Sequence, residues 1–185
     1  MFGLDGKVAM ITGGNGGIGL GMAQGLAAAG ANIVIAARNQ SKTDQAVAQI
    51  KAEYGVQAIG LGLDVLDENQ INATIDQAIQ TCGKVEILVN NAGIGIHKMP
   101  QDMSTAEWDE NINVNLRGTF ICSKAIYPQM KKIGGGKINN LGSMVAIFGA
   151  AALPAYAASK GGIVQLTKSL AAAWAPDNIQ VNALM

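Results

Sequence analysis

Cysteine, histidine, aromatic residues and charge are all scarce in this chain. Of its 185 residues two are Cys and one is His, and aromatics make up 4%. Cys82 and Cys122 are not spaced for a metal. With His97 as the single histidine, no Cys/His cluster exists for a catalytic zinc. The two thiols read as reduced cysteines of a cytoplasmic protein rather than as a disulfide framework. Charged residues amount to 14% and the formal net charge is zero, so there is no basic footprint for nucleic acid. No apolar run approaches the roughly 18 residues of a membrane span. The opening segment Met1–Lys7 lacks a basic stretch followed by an apolar one, so no secretion leader is expected.

Glycine and aliphatic residues are abundant instead, with 24 Gly and 49% hydrophobic content. That suits helices packed tightly on a sheet, with large buried faces and a homo-oligomeric assembly. The length suits one domain with a core of its own, expected over residues 1–185. Strand-like runs fall at Lys7–Thr12, Asn32–Ala36, Ala58–Leu63, Ile87–Asn90, Lys137–Leu141 and Ile179–Ala183. Helical patterns fall at Gly17–Ala29, Lys42–Tyr54, Glu68–Cys82, Thr105–Asn113, Gly118–Lys132 and Ala155–Trp174. Continuous apolar strands alternating with amphipathic helices predict an α/β fold, a doubly wound parallel sheet with helices on both faces.

Two motifs carry chemistry. The first strand runs into Gly13-Gly14-Asn15-Gly16-Gly17-Ile18-Gly19 and then into a helix. Glycines let a backbone turn tightly and approach a pyrophosphate, whose charge meets the N-terminus of the following helix. The second motif is Tyr156-Ala157-Ala158-Ser159-Lys160. Residues four apart share one helix face, and a Lys ammonium there favours the phenolate form of the Tyr. Such a Tyr passes a proton to or from a secondary alcohol. Ligands in doubly wound sheets bind beyond the carboxyl ends of the strands. Gly13–Gly19, Arg38, Asp64, Asn91–Gly93 and Ser143 each follow a strand end, which predicts one shared site.

The spacing of Thr12-Gly13, three residues, then Gly17-Ile18-Gly19 resembles the short-chain dehydrogenase/reductase family. So do Asn90-Asn91-Ala92-Gly93, Asn115 within Ile112–Leu116, and Ser143 standing 13 residues before Tyr156. The resemblance covers essentially the whole chain. It implies a Rossmann-like fold and hydride transfer between a nicotinamide dinucleotide and a secondary alcohol or ketone. The substrate classes it leaves open are a sugar, a polyol or sugar acid, a cyclic alcohol, or a 3-oxoacyl thioester. It gives Tyr156 the role of proton donor or acceptor, has Ser143 bond the same substrate oxygen, and has Lys160 hold the nicotinamide ribose. Asn115 would anchor a water that links Lys160 to solvent. Cofactor contacts are implied for Gly13, Asn15, Gly17, Ile18, Gly19, Arg38, Asn39, Asp64, Val65, Asn91, Ala92 and Gly93, besides Tyr156 and Lys160. Relatives form dimers or tetramers through the helices that hold Arg117–Lys132 and Tyr156–Trp174.

NADP is favoured over NAD by Ile35-Ala36-Ala37-Arg38-Asn39. Ala37 stands where NAD-preferring members carry Asp, and Arg38 is free to pair with a 2′-phosphate. NAD remains possible, because Gly16 occupies a position where many NADP-preferring relatives are basic. Met99, Met103, Met144, Ile147 and Phe148 are candidates for an apolar substrate wall or for packing, and His97 for a substrate contact.

Two departures stand out. Asn139 occupies a central-strand position that is normally apolar, so it and Asn140 need backbone partners or the strand is imperfect. The chain also ends at Met185, about 65 residues before the usual family length, so the last helix, the last strand and the substrate lid are expected to be absent. The 185-residue chain by itself is then expected to turn over weakly, or to act only as a dinucleotide-binding module or an assembly partner.

Overall fold

The computed structural model describes residues 3–185. Met1 and Phe2, the start of the segment read for a leader, lie outside the described residues. Six strands form one parallel sheet: β1 Val8–Thr12, β2 Asn32–Ala37, β3 Ala58–Gly62, β4 Ile87–Asn90, β5 Gly136–Leu141 and β6 Ile179–Leu184. Their spatial order is β3-β2-β1-β4-β5-β6. The order reverses between β1 and β4, so the loops after these two strands diverge and leave a crevice at the carboxyl edge.

Strand periodicity divides the core. Val8 and Met10 face one side with Val34, Leu88, Ile138 and Val181. Ala9 and Ile11 face the other with Ile33, Ile35, Ile87 and Val89. The second side is covered by α1 Gly17–Ala28 and α2 Gln40–Tyr54. Ala23, Ala27 and Ala46 line the contact, and such small residues let these helices lie close to the sheet. The first side is covered by α3 Glu68–Cys82, α5 Gly118–Lys132 and α7 Pro154–Trp174. Each Ile, Leu or Met buried there contributes about 1.5–3 kcal/mol. Cys82 and Cys122 are free thiols, and burial pushes Cys122 up to about 12.

Helix starts follow side-chain caps. Asn39 accepts from the Lys42 N–H at α2, and Asp67 accepts from the Asn69 and Gln70 N–H groups at α3. At α4 Thr105–Ile112, Ser104 and Glu107 form a reciprocal capping box. Lys98 and Ser104 hold the Glu107 carboxyl down to about 2. The two helices expected over 105–113 and 118–132 are joined. One wider π-type turn, Asn113–Arg117, carries α4 into α5 without a break. Neither proline nor an unpaired cap interrupts this stretch, so the helix bulges instead of ending.

The concern about Asn139 moves to its neighbour. Strand alternation puts Asn140, fully buried, beneath α5 and α7, while Asn139 faces the other way and is half-buried. Asn140 finds side-chain partners rather than backbone ones. It accepts from Asn90 Nδ2 at 2.9 Å and donates to Thr167 Oγ1 at 2.9 Å. Asn90 Nδ2 also donates to Ser123 Oγ at 2.9 Å. β5 keeps full parallel register with β4 and β6. The short helix α6 Val145–Phe148 sits between β5 and α7. Among the described residues no helix is long and apolar enough to cross a membrane.

Candidate active site

The Gly-rich turn is braced from behind. Gly13 adopts φ +64°, a region that glycine enters without strain. Its N–H donates to the Ala36 carbonyl at 2.8 Å. Thr12 Oγ1 accepts from the Asn91 and Ala92 N–H groups at 3.0 and 3.1 Å. Asn91 Nδ2 donates to the Thr12 and Gly13 carbonyls, both at 3.0 Å. A Cβ on Gly19 would overlap that Asn91 amide and the Gly13 carbonyl. The first turn of α1 carries no acidic residue and no side-chain cap. Its free N–H groups and positive dipole end suit a bound phosphate. A dinucleotide therefore fits this donor set and this glycine cradle.

A cleft of about 240 Å³ opens beside the turn. Gly13 and Asn15 form one wall, Asp64 and Val65 another, Ala92 and Gly93 a third, and Arg38 and Asn39 stand at its mouth. Eight of the expected dinucleotide residues thus meet in this cleft, whereas Ile18 and Asn91 line a neighbouring cleft and Gly17 and Gly19 line neither. Two of the side chains have structural duties as well. Asp64 Oδ1 accepts from the Leu66 N–H at 3.0 Å, closing the turn after β3. Asn39 Oδ1 caps α2 at 3.0 Å. Asn15 Nδ2 reaches the Asn39 carbonyl at 3.2 Å and Thr43 Oγ1 at 3.1 Å, joining the Gly-rich turn to α2.

A second cleft, about 440 Å³, meets the first at Gly93 and Ile94. Tyr156 and Lys160 line it together with Ile18, Asn91, His97 and Leu153. Lys160 is 4% exposed. Its Nζ donates to the Leu141 carbonyl at 2.6 Å and stands 5.4 Å from the centre of the Tyr156 ring. Burial lowers Lys160 to about 8. The Lys98 N–H donates to the Ala152 carbonyl at 2.9 Å, which ties the loop after β4 to the loop before α7.

Asn115 sits in the π-type turn, fully buried. Its Oδ1 accepts from the Ile94 N–H at 2.8 Å, and its Nδ2 donates to the Ile94 carbonyl at 2.9 Å and to Ser159 Oγ at 3.0 Å. Ser159 in turn donates to the Tyr156 carbonyl at 2.7 Å. Asn115 thus fixes the loop where the two clefts meet against the helix that bears Tyr156.

Ser143 is less engaged. It follows Gly142 at the lip of the second cleft, outside its lining, and its Oγ accepts a long 3.4 Å bond from the Val145 N–H. The apolar wall does not form: Met99, Met144, Ile147 and Phe148 are exposed and line neither cleft. Met103 lines a separate small groove with Trp108 and Pro154.

Three contributors have no role of their own in the sequence reading: Thr12 and Ser159, which appear there only as motif members, and Lys42. Thr12 ends the first strand and Ser159 lies inside the Tyr-Lys motif, so both were open to notice as polar residues at buried positions. Lys42, which lines the first cleft, looks like any solvated lysine in the first turn of a helix.

The short chain dehydrogenase family profile matches residues 7–185. The chain belongs to the short-chain dehydrogenase family. Like its relatives it is an NAD(P)-dependent oxidoreductase of the alcohol dehydrogenase and reductase type. One relative is the 2-dehydro-3-deoxy-D-gluconate 5-dehydrogenase of Formosa agariphila, 38% identical over all of this chain and 70% of its own length. L-sorbose reductase of Gluconobacter frateurii, solved with NADPH and L-sorbose, superimposes with a TM-score of 0.95. It is 31% identical and covers 98% of this chain and 69% of its own. An NAD+-bound xylitol dehydrogenase superimposes with a TM-score of 0.94 at 36% identity, over 97% of this chain and 69% of its own. Family members with this fold thus include both NADPH and NAD+ binders.

Proposed function

We propose that this chain interconverts a secondary alcohol and its ketone with NADP(H), with Tyr156 as the proton carrier. The observation that carries the reading is the junction at Gly93 and Ile94. There the cleft holding Tyr156 and Lys160 opens into the cleft framed by the Gly-rich turn. The bound dinucleotide would supply or accept the hydride at the substrate carbon. In the reducing direction Tyr156 gives its phenolic proton to the oxygen on which negative charge grows. Lys160, a cation beside that ring, favours the phenolate left behind and lies within reach of a ribose hydroxyl at the cleft junction. In oxidation Tyr156 takes the proton back. Ser143 bonds the substrate oxygen once a ligand draws it over the lip. Asn115 acts chiefly by positioning Ile94 and the Tyr156 turn; its backbone carbonyl already accepts from Thr119 Oγ1 at 2.7 Å, so a relay water there would share that acceptor.

NADP rather than NAD is supported by Ala37 and by Arg38, which is exposed at the cleft mouth and makes no ion pair among the described residues. A polyol, sugar or sugar acid is the favoured substrate class. The second cleft has His97 and Lys160 in its lining and no carboxylate, and relatives act on a gluconate derivative and on L-sorbose. The continuous sheet supports one domain over the chain. Exposed Phe120 on α5 supports a homo-oligomer, dimer or tetramer, and the free thiols support a cytoplasmic location.

The test is hydride transfer, followed by nicotinamide absorbance, over a panel of polyols, sugar acids, cyclic alcohols and their ketones. Tyr156→Phe should cut the rate about 10²–10⁴-fold and leave NADPH affinity within about twofold. An undiminished rate in that variant ends the mechanism. Tight NADPH binding with no turnover across the panel would favour a dinucleotide-binding module.

A further inference from the structure

The Gly-rich turn brings no cation of its own to the first cleft: residues 13–19 read Gly-Gly-Asn-Gly-Gly-Ile-Gly. The positive charge at that mouth comes from elsewhere. Arg38 follows β2, and Lys42 lies in the first turn of α2, and both line the cleft. Neither is in an ion pair among the described residues, whereas Lys98, Lys124 and Lys131 each hold a carboxylate. The first turn of α2 has no acidic residue. Asp44, the next acid along α2, already accepts from Gln40 Nε2 at 2.8 Å. The one acid lining the cleft, Asp64, has an oxygen committed to the Leu66 N–H.

The base of Lys42 is fixed on two sides. Its own N–H is held by Asn39 Oδ1 at 3.0 Å. Its neighbour Thr43, fully buried, donates to the Asn39 carbonyl at 2.9 Å and accepts from Asn15 Nδ2. The Gly-rich turn and the first turn of α2 are thereby one preassembled wall, with two uncommitted cations along it. A dihydroxy ribose needs no such charge, whereas a phosphomonoester dianion does.

Building on the NADP reading, we infer that Lys42 is a second ligand of the 2′-phosphate and shares with Arg38 the discrimination between NADP(H) and NAD(H). Arg38 would supply a planar fork and Lys42 a mobile point charge to the same dianion. The Asn15–Thr43 bond sets the register between this pair and the pyrophosphate turn.

Binding alone tests this, without turnover. Nicotinamide fluorescence gives Kd for NADPH and NADH, and calorimetry gives Kd for 2′,5′-ADP and 5′-AMP, with wild type, Lys42→Gln, Lys42→Arg and Arg38→Gln compared at two salt concentrations. Lys42→Gln should weaken NADPH and 2′,5′-ADP about tenfold, flatten their salt dependence, and leave NADH and 5′-AMP within about twofold. Lys42→Arg should restore most of the loss, and Lys42→Gln should keep the wild-type Tm, because its side chain is solvent-facing. A wild type that binds 5′-AMP as tightly as 2′,5′-ADP overturns the NADP reading and this inference with it. A wild-type preference that Arg38→Gln abolishes and Lys42→Gln preserves leaves the NADP reading standing and overturns the role of Lys42.

Discussion

The β1–β3 side of the carboxyl edge is made by what its residues leave out, and the β4–β6 side by what they bring in. Beside β1, the ligand-facing surface is glycine and backbone: Gly13 turns where side chains strain, and Gly19 makes room for the Asn91 amide. Beside β4 and β5, buried side chains do the work. Asn90, Asn115, Asn140, Ser159 and Lys160 are all under 5% exposed, each with a hydrogen-bond partner from another part of the chain or the next turn. The difference follows from the ligand's chemistry. A pyrophosphate is recognised by N–H groups and a dipole end, which any close backbone supplies. Proton transfer needs particular side chains held still, and a buried polar side chain is held only when its partners are present. The Gly-rich turn of the first side is therefore sensitive to added atoms, the buried network of the second side to removed ones.

The largest expected effect comes from adding one atom group to the first side. Gly19→Ala places a methyl against the Asn91 amide and the Gly13 carbonyl, and the Gly-rich turn must shift to admit it. NADPH affinity should fall about 100-fold, near 2.7 kcal/mol. The readout is the fluorescence titration. Gly21→Ala, where a Cβ meets nothing within 4 Å, is the control and should bind as wild type does. Equal affinities in the two variants would remove the steric basis of the comparison.

Next comes removal from the second side. Asn140→Ala strips a partner from Asn90 and from Thr167 and opens a small void beneath α7. The expected loss is about 2–3 kcal/mol in urea unfolding. A double-mutant cycle with Thr167→Val should recover about 1 kcal/mol of coupling. Strict additivity would mean that the network is a set of independent contacts.

This asymmetry also explains what was legible in the sequence. The strands came out within a residue or two, because Val8–Thr12 and Ile87–Asn90 are unbroken apolar runs whose period speaks for itself. The Gly-rich turn was legible because glycine carries its conformational meaning alone. Partner-dependent features were not. Nothing local in Asn140 says that Asn90, 50 residues earlier, will meet it, so Asn139 drew the attention instead. The π-type turn has no composition of its own, and it is stabilised by Asn115 reaching back 21 residues to Ile94. The apolar wall failed for a related reason. Met144, Ile147 and Phe148 are apolar, but the four-residue helix α6 is too short to turn all of them inward.

Lys160 gives the smallest effect and the sharpest sign. Burial lowers it from its usual 10.5 to about 8, so the unfolded chain holds this proton more tightly than the folded one. Between about pH 8 and 10.5 the unfolded state binds more protons, and stability rises with pH. The burial penalty is present in full below pH 8 and gone above 10.5. Lys160→Met removes the charge while keeping the stem, and it leaves the Leu141 carbonyl without its 2.6 Å donor. At pH 7 the relief and the orphaned carbonyl oppose each other, and the variant should be more stable than wild type by about 1 kcal/mol. By pH 10 most of the relief is gone and the loss dominates, so the order should reverse, a swing on the order of 2 kcal/mol. Urea midpoints for the two proteins at pH 7 and pH 10 measure it, with other titrations cancelling in the difference. The variant should bind NADPH yet lose turnover, so that the residue most costly to bury is one the chemistry requires. A stability difference that is flat with pH would mean that Lys160 is charged in the fold without penalty. The second side would then owe less to its partners than the geometry implies.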